Sequence, residues 1–347
     1  MIRLAQLYTG TVGAEVIRRC AGHPKFDLVA VLVHSERKSG RDSGQLVGSV
    51  PNGVTTTTRV EEIIASRPDA AIHSGMVFDI DLITRLLRAG INVYTGIGGF
   101  YLPGSADFSV IDAAARQGGA SFSAGGNIPG LISDVFPLFL TGYTGRIRQI
   151  RANQRNDVSS YPSAAQVQSL GIGTDLEVFE AGAAQIDPYI TGAILQSAHM
   201  VADGIGVTCT DFALVAKRVA LAEEPITLSG SGLAIEPGQV AGIEWSWSAT
   251  ARGREFLRIT NQQTATLNLG EGWRATHEEP PWRVEIEGEP PIVATFGWPD
   301  GAPSGQSTQL LNVSRAMNTI PRLVAAPAGA VSVLNMPAPA AADGVAR

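Results

Sequence analysis

The first fifteen residues constrain the fold more than any other stretch. Ile2 to Leu7 is an apolar-rich run of strand length, Thr9-Gly10-Thr11-Val12-Gly13 is a glycine turn, and a helical stretch, Ala14 to Cys20, follows at once. A strand, a tight turn and a helix in immediate succession aim the helix's unpaired N-terminal amides and its positive dipole end at one spot, which suits a phosphate or pyrophosphate. Measured against the G-x-G-x-x-G dinucleotide fingerprint, Gly10 and Gly13 take the second and third places and Tyr8 stands in the first. A purely structural start of a helix satisfies the same residues, so the rest of the chain has to decide.

The stretch that follows keeps one rhythm. Phe26 to Val33 is a nearly unbroken apolar run, as expected of a strand buried on both faces of a parallel sheet. Helices are predicted at Val60 to Ser66, at Asp79 to Ala89 (ended by Gly90) and at Phe108 to Gly118, alternating with strands at Pro68 to His73, Ile91 to Thr95 and Ala120 to Ala124. With right-handed crossovers this is an α/β, doubly wound parallel sheet of Rossmann type over 1–145, and its ligands belong at the carboxyl ends of the strands. Those ends carry Gly10, His34, His73, Ser74, Thr95, Gly96, Gly126 and Asn127.

The end of the second strand bears on the choice of cofactor. A strict NAD site places an Asp or Glu about twenty residues past the glycines to accept the ribose 2′-hydroxyl. Here the chain reads His34-Ser35-Glu36-Arg37-Lys38-Ser39-Gly40-Arg41. Ser35, Arg37 and Lys38, with Arg41, offer the charge-assisted donors that a 2′-phosphate needs, which favours NADP. Glu36 keeps NAD as an alternative, and a solvated basic loop is the reading without function.

Beyond residue 145 the rhythm changes, and 146–307 is read as a second, α+β domain for substrate and dimerisation. Gly145 to Asn153 is predicted as a crossing strand, with helices at Ser163 to Leu170 and Pro188 to Asp203. Ile243, Trp245, Trp247 and Ala249 alternate with Glu244, Ser246 and Ser248, and Trp282, Val284 and Ile286 with Arg283, Glu285 and Glu287. Together with Phe256 to Leu267 and Ile292 to Trp298 they point to an open, mostly antiparallel sheet whose tryptophans belong to its core or to a subunit interface. A C-terminal segment, 308–335, opening with a helix from Thr308 to Ala325, is expected to pack back on the first domain, and the Ala/Pro-rich tail from Pro337 to be disordered.

Composition removes several classes. A length of 347 residues accommodates two cores, and a net charge of −6 without a basic, aromatic-interleaved cluster argues against nucleic acid or an anionic membrane as partner. Two cysteines, Cys20 and Cys209, suggest neither a disulfide framework nor a zinc site and fit a reducing cytoplasm. No apolar run reaches the roughly 18 residues of a membrane helix, and no metal-ligand spacing, nucleophile elbow or Walker loop is present.

One more stretch is informative: Ala124-Gly-Gly-Asn-Ile-Pro-Gly-Leu-Ile-Ser-Asp134, a strand running into Asn-x-Pro-Gly-x-x-x-Asp. Taken with Thr-Gly-x-Val-Gly at 9–13, His-Ser-x-x-Lys-x-Gly-Arg-Asp at 34–42, Ser-Tyr-Pro-Ser at 160–163, Gly288-Glu-Pro-Pro291 and Asn318 to Pro327, it resembles the 2,4-diaminopentanoate dehydrogenase and native amine dehydrogenase group, relatives of dihydrodipicolinate reductase, over nearly the whole chain. The resemblance implies that Gly10, Thr11, Val12 and Gly13 bind a pyrophosphate, Ser35, Arg37 and Lys38 the adenosine end, and Asn127 the nicotinamide side, in a homodimeric NAD(P)H-dependent oxidoreductase. The substrate would be small and largely apolar, reduced at C=N or C=O between the two domains.

There is one departure. Amine-forming members carry a glutamate after the strand equivalent to Ile91 to Thr95; this chain reads Gly96-Ile-Gly-Gly-Phe-Tyr-Leu-Pro103. An iminium in a desolvated pocket wants an anionic partner, so the resemblance to amine dehydrogenases and imine reductases leaves open whether amination with free ammonia survives the loss of this glutamate. Carbonyl reduction without amination and a non-catalytic NADPH sensor stand as alternatives. As catalytic candidates we take Tyr101, Asn127 and Tyr161, packing roles being the alternative for both tyrosines. His73 suits a cofactor contact or a structural role, whereas His199, mid-helix, and His277, in a polar loop, suit neither catalysis nor binding.

Overall fold

The computed structural model describes residues 1–266, 269–270, 272–273, 282–298 and 304–342. His277 and Leu267 lie outside the described residues. The chain divides into two compact units, Met1–Gly126 with Gln309–Arg347, and Asn127–Thr308.

The first unit opens with β1 (Ile2–Leu7), α1 (Thr11–Cys20) and β2 (Phe26–Leu32), followed by α2 (Ser43–Leu46), β3 (Thr56–Thr57) and α3 (Val60–Ala65). Next come β4 (Ala70–His73), α4 (Ile80–Arg88), β5 (Asn92–Thr95), α5 (Phe108–Gly118) and β6 (Ser121–Ala124). Alternation within the strands explains why both faces are covered. In β4, Ala71 packs with Leu7, Leu32, Ile83, Leu86 and Ile111, whereas its neighbours Ala70 and Ile72 pack with Leu4, Val16, Tyr94 and residues of the C-terminal helix. Each Leu or Ile so buried contributes about 1.5–3 kcal/mol.

Helix α4 begins where Asp79 accepts from the Leu82 amide at 3.0 Å, and it buries Leu82, Ile83, Leu86 and Leu87 at the spacing of one helical face. Gly118 on α5 permits the closest approach in this layer, since a Cβ there would lie 1.8 Å from the Leu87 carbonyl oxygen.

The second unit contains α6 (Val135–Thr141), β7 (Gly145–Asp157), α7 (Ala164–Ser169), α8 (Leu176–Ile205), β8 (Asp211–Leu221), β9 (Ile226–Thr227), β10 (Ala234–Ile235), β11 (Val240–Ala251), β12 (Arg254–Thr264), β13 (Trp282–Glu289) and β14 (Ile292–Phe296). Among the described residues six strands form its main sheet in the order β14-β13-β7-β12-β11-β8, antiparallel except for the β7–β12 pair. The predicted alternation gives the sheet its two faces. Trp245 and Trp247 are buried against α8, the first indole donating to Asp187 at 2.9 Å and the second to Thr191 at 3.0 Å. On the opposite face Glu244 pairs with Arg218, and Ser248 donates to Glu255.

α9 (Ser304–Val324) then returns the chain to the first unit, where β15 (Gly329–Ala330) completes a wholly parallel order β15-β6-β5-β4-β1-β2-β3 among the described residues.

The C-terminal helix ends at Val324, one residue from the expected Ala325, where the carbonyls of Ala326 and Pro327 turn to accept from Ser121 Oγ and the following residues pair with β6. Two expectations change. The tail is not loose over 337–342: Met336 and Ala342 are buried, and the Ala342 amide donates to Asn318 Oδ1 at 2.8 Å. Finally, α8 starts twelve residues before Pro188 (176 against 188). The carbonyl of Ala184, which loses its partner at Pro188, is on an exposed residue where water can serve it.

Candidate dinucleotide site at the carboxyl edge of the parallel sheet

The glycine turn is shorter than the sequence suggests, with Gly10 as N-cap and the helix already running from Thr11. A glycine cap leaves the first amides of Thr11, Val12 and Gly13 without a competing side chain. Gly13 has no room for a substituent: a Cβ would lie 2.1 Å from the Tyr8 carbonyl oxygen and 2.7 Å from Gln6 Nε2. The Gln6 amide buttresses the turn from below, donating to the Leu7 carbonyl at 2.8 Å and the Tyr8 carbonyl at 3.0 Å. Tyr8 itself has φ +73°. It adopts the left-handed conformation that a glycine supplies without strain and that costs other residues about 1–2 kcal/mol.

In that conformation the Tyr8 ring stacks on His34, centroids 3.8 Å apart and planes 5° apart, and meets the edge of His73 at 5.7 Å. His73 is buried at the end of β4, its Nδ1 3.1 Å from Thr95 Oγ1 at the end of β5. Burial pushes the imidazole down to about 4, with His34 adding to the shift and Asp79 opposing it. His73 is therefore neutral at physiological pH. Its Nε2 is buried beneath Gly75, where a Cβ would lie 2.9 Å away, and accepts or donates no hydrogen bond among the described residues.

The basic loop is held in shape by β3. Ser35 Oγ accepts from the Arg37 amide at 3.3 Å and caps a single 3₁₀ turn, Glu36–Lys38. Thr56 Oγ1 donates to the Lys38 carbonyl, and the Gly40 amide donates to the Thr56 carbonyl at 2.8 Å. Lys38 Nζ reaches back across the sheet edge to Thr9 Oγ1 at 3.3 Å. The Glu36 carboxylate points elsewhere and accepts from Thr58 Oγ1 at 2.9 Å.

A groove of about 200 Å³ is thereby lined by Thr9, Gly10, His34, Ser35, Lys38 and Ser74, among others. A second cavity of about 440 Å³ adjoins it through the shared Tyr8–His34 pair and is walled by Leu32, Thr58, Asp79 and Leu82. Of the residues proposed from sequence, Gly10, His34, Ser35, Lys38 and Ser74 meet in the groove. The Arg37 side chain is exposed and lines neither space, and His73 and Thr95 lie buried beneath.

Further along the edge, the buried Tyr94 hydroxyl donates to the Gly125 carbonyl at 2.6 Å, and burial pushes the phenol up to about 12 against the opposing Arg315. The loop at Gly98-Gly99 closes on the Phe78 ring. A Cβ at Gly98 would lie 2.9 Å from Phe78 Cγ, and one at Gly99, whose φ is +65°, 2.8 Å from Cζ. Tyr101 is buried in the same loop.

Asn127 and Tyr161 belong to the second unit. The Asn127 carbonyl accepts from the Leu131 and Ile132 amides, and its Oδ1 from the Ile128 amide at 2.8 Å. This turn is anchored by the buried Asp134 carboxylate, which accepts from the Gly130 amide at 2.9 Å and from Ser197 Oγ on α8 at 2.7 Å. Tyr161 is buried, and its hydroxyl accepts from Asn156 Nδ2 at 2.8 Å. Burial raises the phenol above its ordinary range.

The family model for the 2,4-diaminopentanoate dehydrogenase C-terminal domain matches residues 131–347. The chain belongs to the 2,4-diaminopentanoate dehydrogenase family. It is an oxidoreductase of the amine dehydrogenase group. An amine dehydrogenase of Streptomyces virginiae is 29% identical over 345 residues, covering 95% of this chain and 94% of that protein. The solved amine dehydrogenase of Mycobacterium smegmatis has the same fold, with a TM-score of 0.81 at 21% identity over 99% of this chain and 98% of that one. A biliverdin reductase from Synechocystis, solved with biliverdin and NADP+, is similar at a TM-score of 0.52 and 12% identity, covering 93% of this chain and 90% of its own.

Within this family member, sequence reasoning did not reach Gln6, Thr58, Phe78 or Tyr94. Each acts through a neighbour distant in sequence or through a backbone group, and the residue types alone carry no signal of that.

Proposed function

We propose that the chain is an NADPH-preferring oxidoreductase that delivers hydride to a C=N or C=O bond of a small, largely apolar substrate. The observation that carries this reading is the groove in which the glycine turn, Ser35 and Lys38 meet. The amides at the start of α1 suit a pyrophosphate, and Ser35 and Lys38 suit a 2′-phosphate. The larger adjoining cavity, about 440 Å³ and partly apolar through Leu32 and Leu82, is roomy enough for an adenine ring. When bound, the reduced nicotinamide supplies the hydride. Asn127 and the tyrosines Tyr101 and Tyr161 remain our candidates for orienting the acceptor and moving the proton.

Among substrates, carbonyls and preformed imines are favoured over a ketone with free ammonia. Phe78 supports this preference, because its ring fills the space over Gly98 and Gly99 where a carboxylate would have to stand. The chain would work as a homodimer in a reducing cytoplasm. The long β8 at the edge of the second sheet gains cover that way, and both cysteines are unpaired. No helix among the described residues is long and apolar enough to cross a membrane.

The test is turnover. NADPH is mixed with ketones, aldehydes, cyclic imines and ketone-plus-amine pairs while nicotinamide absorbance is followed. Oxidation of NADPH by imines or carbonyls is expected, with ammonia adding little. Saturable NADPH binding with no turnover across the panel would favour the sensor instead.

A further inference from the structure

The 3₁₀ turn at the end of β2 sends three consecutive side chains in three directions, as three residues per turn require. Lys38 goes to Thr9 at the glycine turn, Arg37 to solvent, and Glu36 to Thr58. Glu36 is the residue that needs an explanation. It is the acid nearest the position from which a carboxylate selects the ribose 2′-hydroxyl of NAD, yet it lines neither cavity. What draws it off is a hydroxyl 22 positions away. Thr58 directly follows β3, whose Thr57 pairs with Leu32 of β2, and the Thr57 hydroxyl accepts from the Arg59 amide. The Thr58 hydroxyl is thus presented from a backbone fixed by sheet pairing, and the exposed Glu36 side chain reaches it from the 3₁₀ turn.

We propose that Thr58 is the specificity-determining residue for the cofactor, a positioning residue that keeps the Glu36 carboxylate off the ribose. This rests on the nicotinamide reading of the groove and adds to it the device by which one loop, carrying both an acid and two bases, selects the phosphorylated dinucleotide. With Glu36 bonded to Thr58, Ser35 and Lys38 face the groove without an anion beside them. Without the hydroxyl, Glu36 swings toward the groove. There it repels a 2′-phosphate and accepts from a ribose 2′-hydroxyl, so preference shifts toward NADH.

The experiment compares dissociation constants of NADPH and NADH for the full chain, read by nicotinamide fluorescence, in Thr58→Val, Thr58→Ser, Glu36→Gln and the Thr58→Val/Glu36→Gln double variant. Thr58→Val is expected to weaken NADPH by about fivefold, on the scale of one lost hydrogen bond, and to tighten NADH. Thr58→Ser keeps the hydroxyl and should keep the native preference. In the Glu36→Gln background the Thr58→Val change should no longer move the ratio of the two constants. Equal changes for both cofactors, or an undiminished Thr58→Val effect once Glu36 is neutralised, would overturn the proposal. If Thr58→Val does not fold, as circular dichroism would show, Thr58→Ala takes its place in the same cycle. Failure of the wild-type chain to bind either dinucleotide would instead sink the nicotinamide reading itself, so the two failures are distinguishable.

Discussion

At the scale of single residues, the site depends on atoms that leave no room for alternatives. Gly13 approaches the Tyr8 carbonyl so closely that Gly13→Ala must push the turn open. We expect a loss of about 1–3 kcal/mol, typical of overpacking, visible in denaturant unfolding, together with loss of NADPH binding. His73 makes a pH prediction. Its folded value of about 4 lies below the ordinary 6.5, so between those values the unfolded chain binds the extra proton. Stability from this residue is complete above about pH 6.5 and is lost as pH falls toward 4, by up to about 3 kcal/mol. In His73→Asn the acid limb of the stability profile should flatten; an unchanged limb would show that other groups control it. Tyr8 shows why this scale was only half legible in the sequence. The fingerprint lacks its first glycine, but the backbone still takes the left-handed conformation with φ +73°, a fact no residue type announces.

Elements were read better than single contacts, for a physical reason. Apolar runs such as Phe26 to Val33 and the helical spacing of Leu82, Ile83, Leu86 and Leu87 report burial directly, so the parallel sheet and its crossovers were legible. The two-residue strands β3 and β15 were not, because their pairing is decided by neighbours and not by their own pattern. The start of α8 was misread because proline favours the first turn of a helix, whereas Pro188 lies inside this one.

The loop after β5 yields a prediction at this scale. Gly98→Glu alone should destabilise the chain without creating amination activity, since its side chain collides with Phe78. Phe78→Ala combined with Gly98→Glu opens space for the carboxylate, and we expect the double variant to regain stability relative to Gly98→Glu and to use ammonia measurably. If Gly98→Glu is as stable as the wild type in thermal unfolding, the loop is looser than its packing suggests. The turn at Asn127 depends likewise on Asp134. Asp134→Ala removes the acceptor for Gly130 and Ser197 and should cost about 3 kcal/mol, as buried networks do when one partner is removed.

For the whole molecule, the two kinds of sheet were legible because the spacing of apolar residues changes from βαβ units to alternating strands. The edge at which the strand ends gather was legible because a parallel sheet must place them together. The direction taken by Glu36 and the filling of the loop at Gly98 were not, since both depend on partners far along the chain, Thr58 and Phe78. Homodimer assembly is an expectation at this scale, and light scattering at micromolar concentration should report twice the chain mass of 36.4 kDa.

A phosphorylated nicotinamide dinucleotide is proposed to bind where the glycine turn meets Ser35 and Lys38. Calorimetric titration of the wild-type chain and Lys38→Ala with NADPH and with NADH tests it most directly. NADPH is expected to bind more tightly than NADH in the wild type, with a loss of roughly tenfold for NADPH alone in Lys38→Ala, the worth of one charge-assisted contact. No binding of either cofactor, or equal losses for both in the variant, would contradict it.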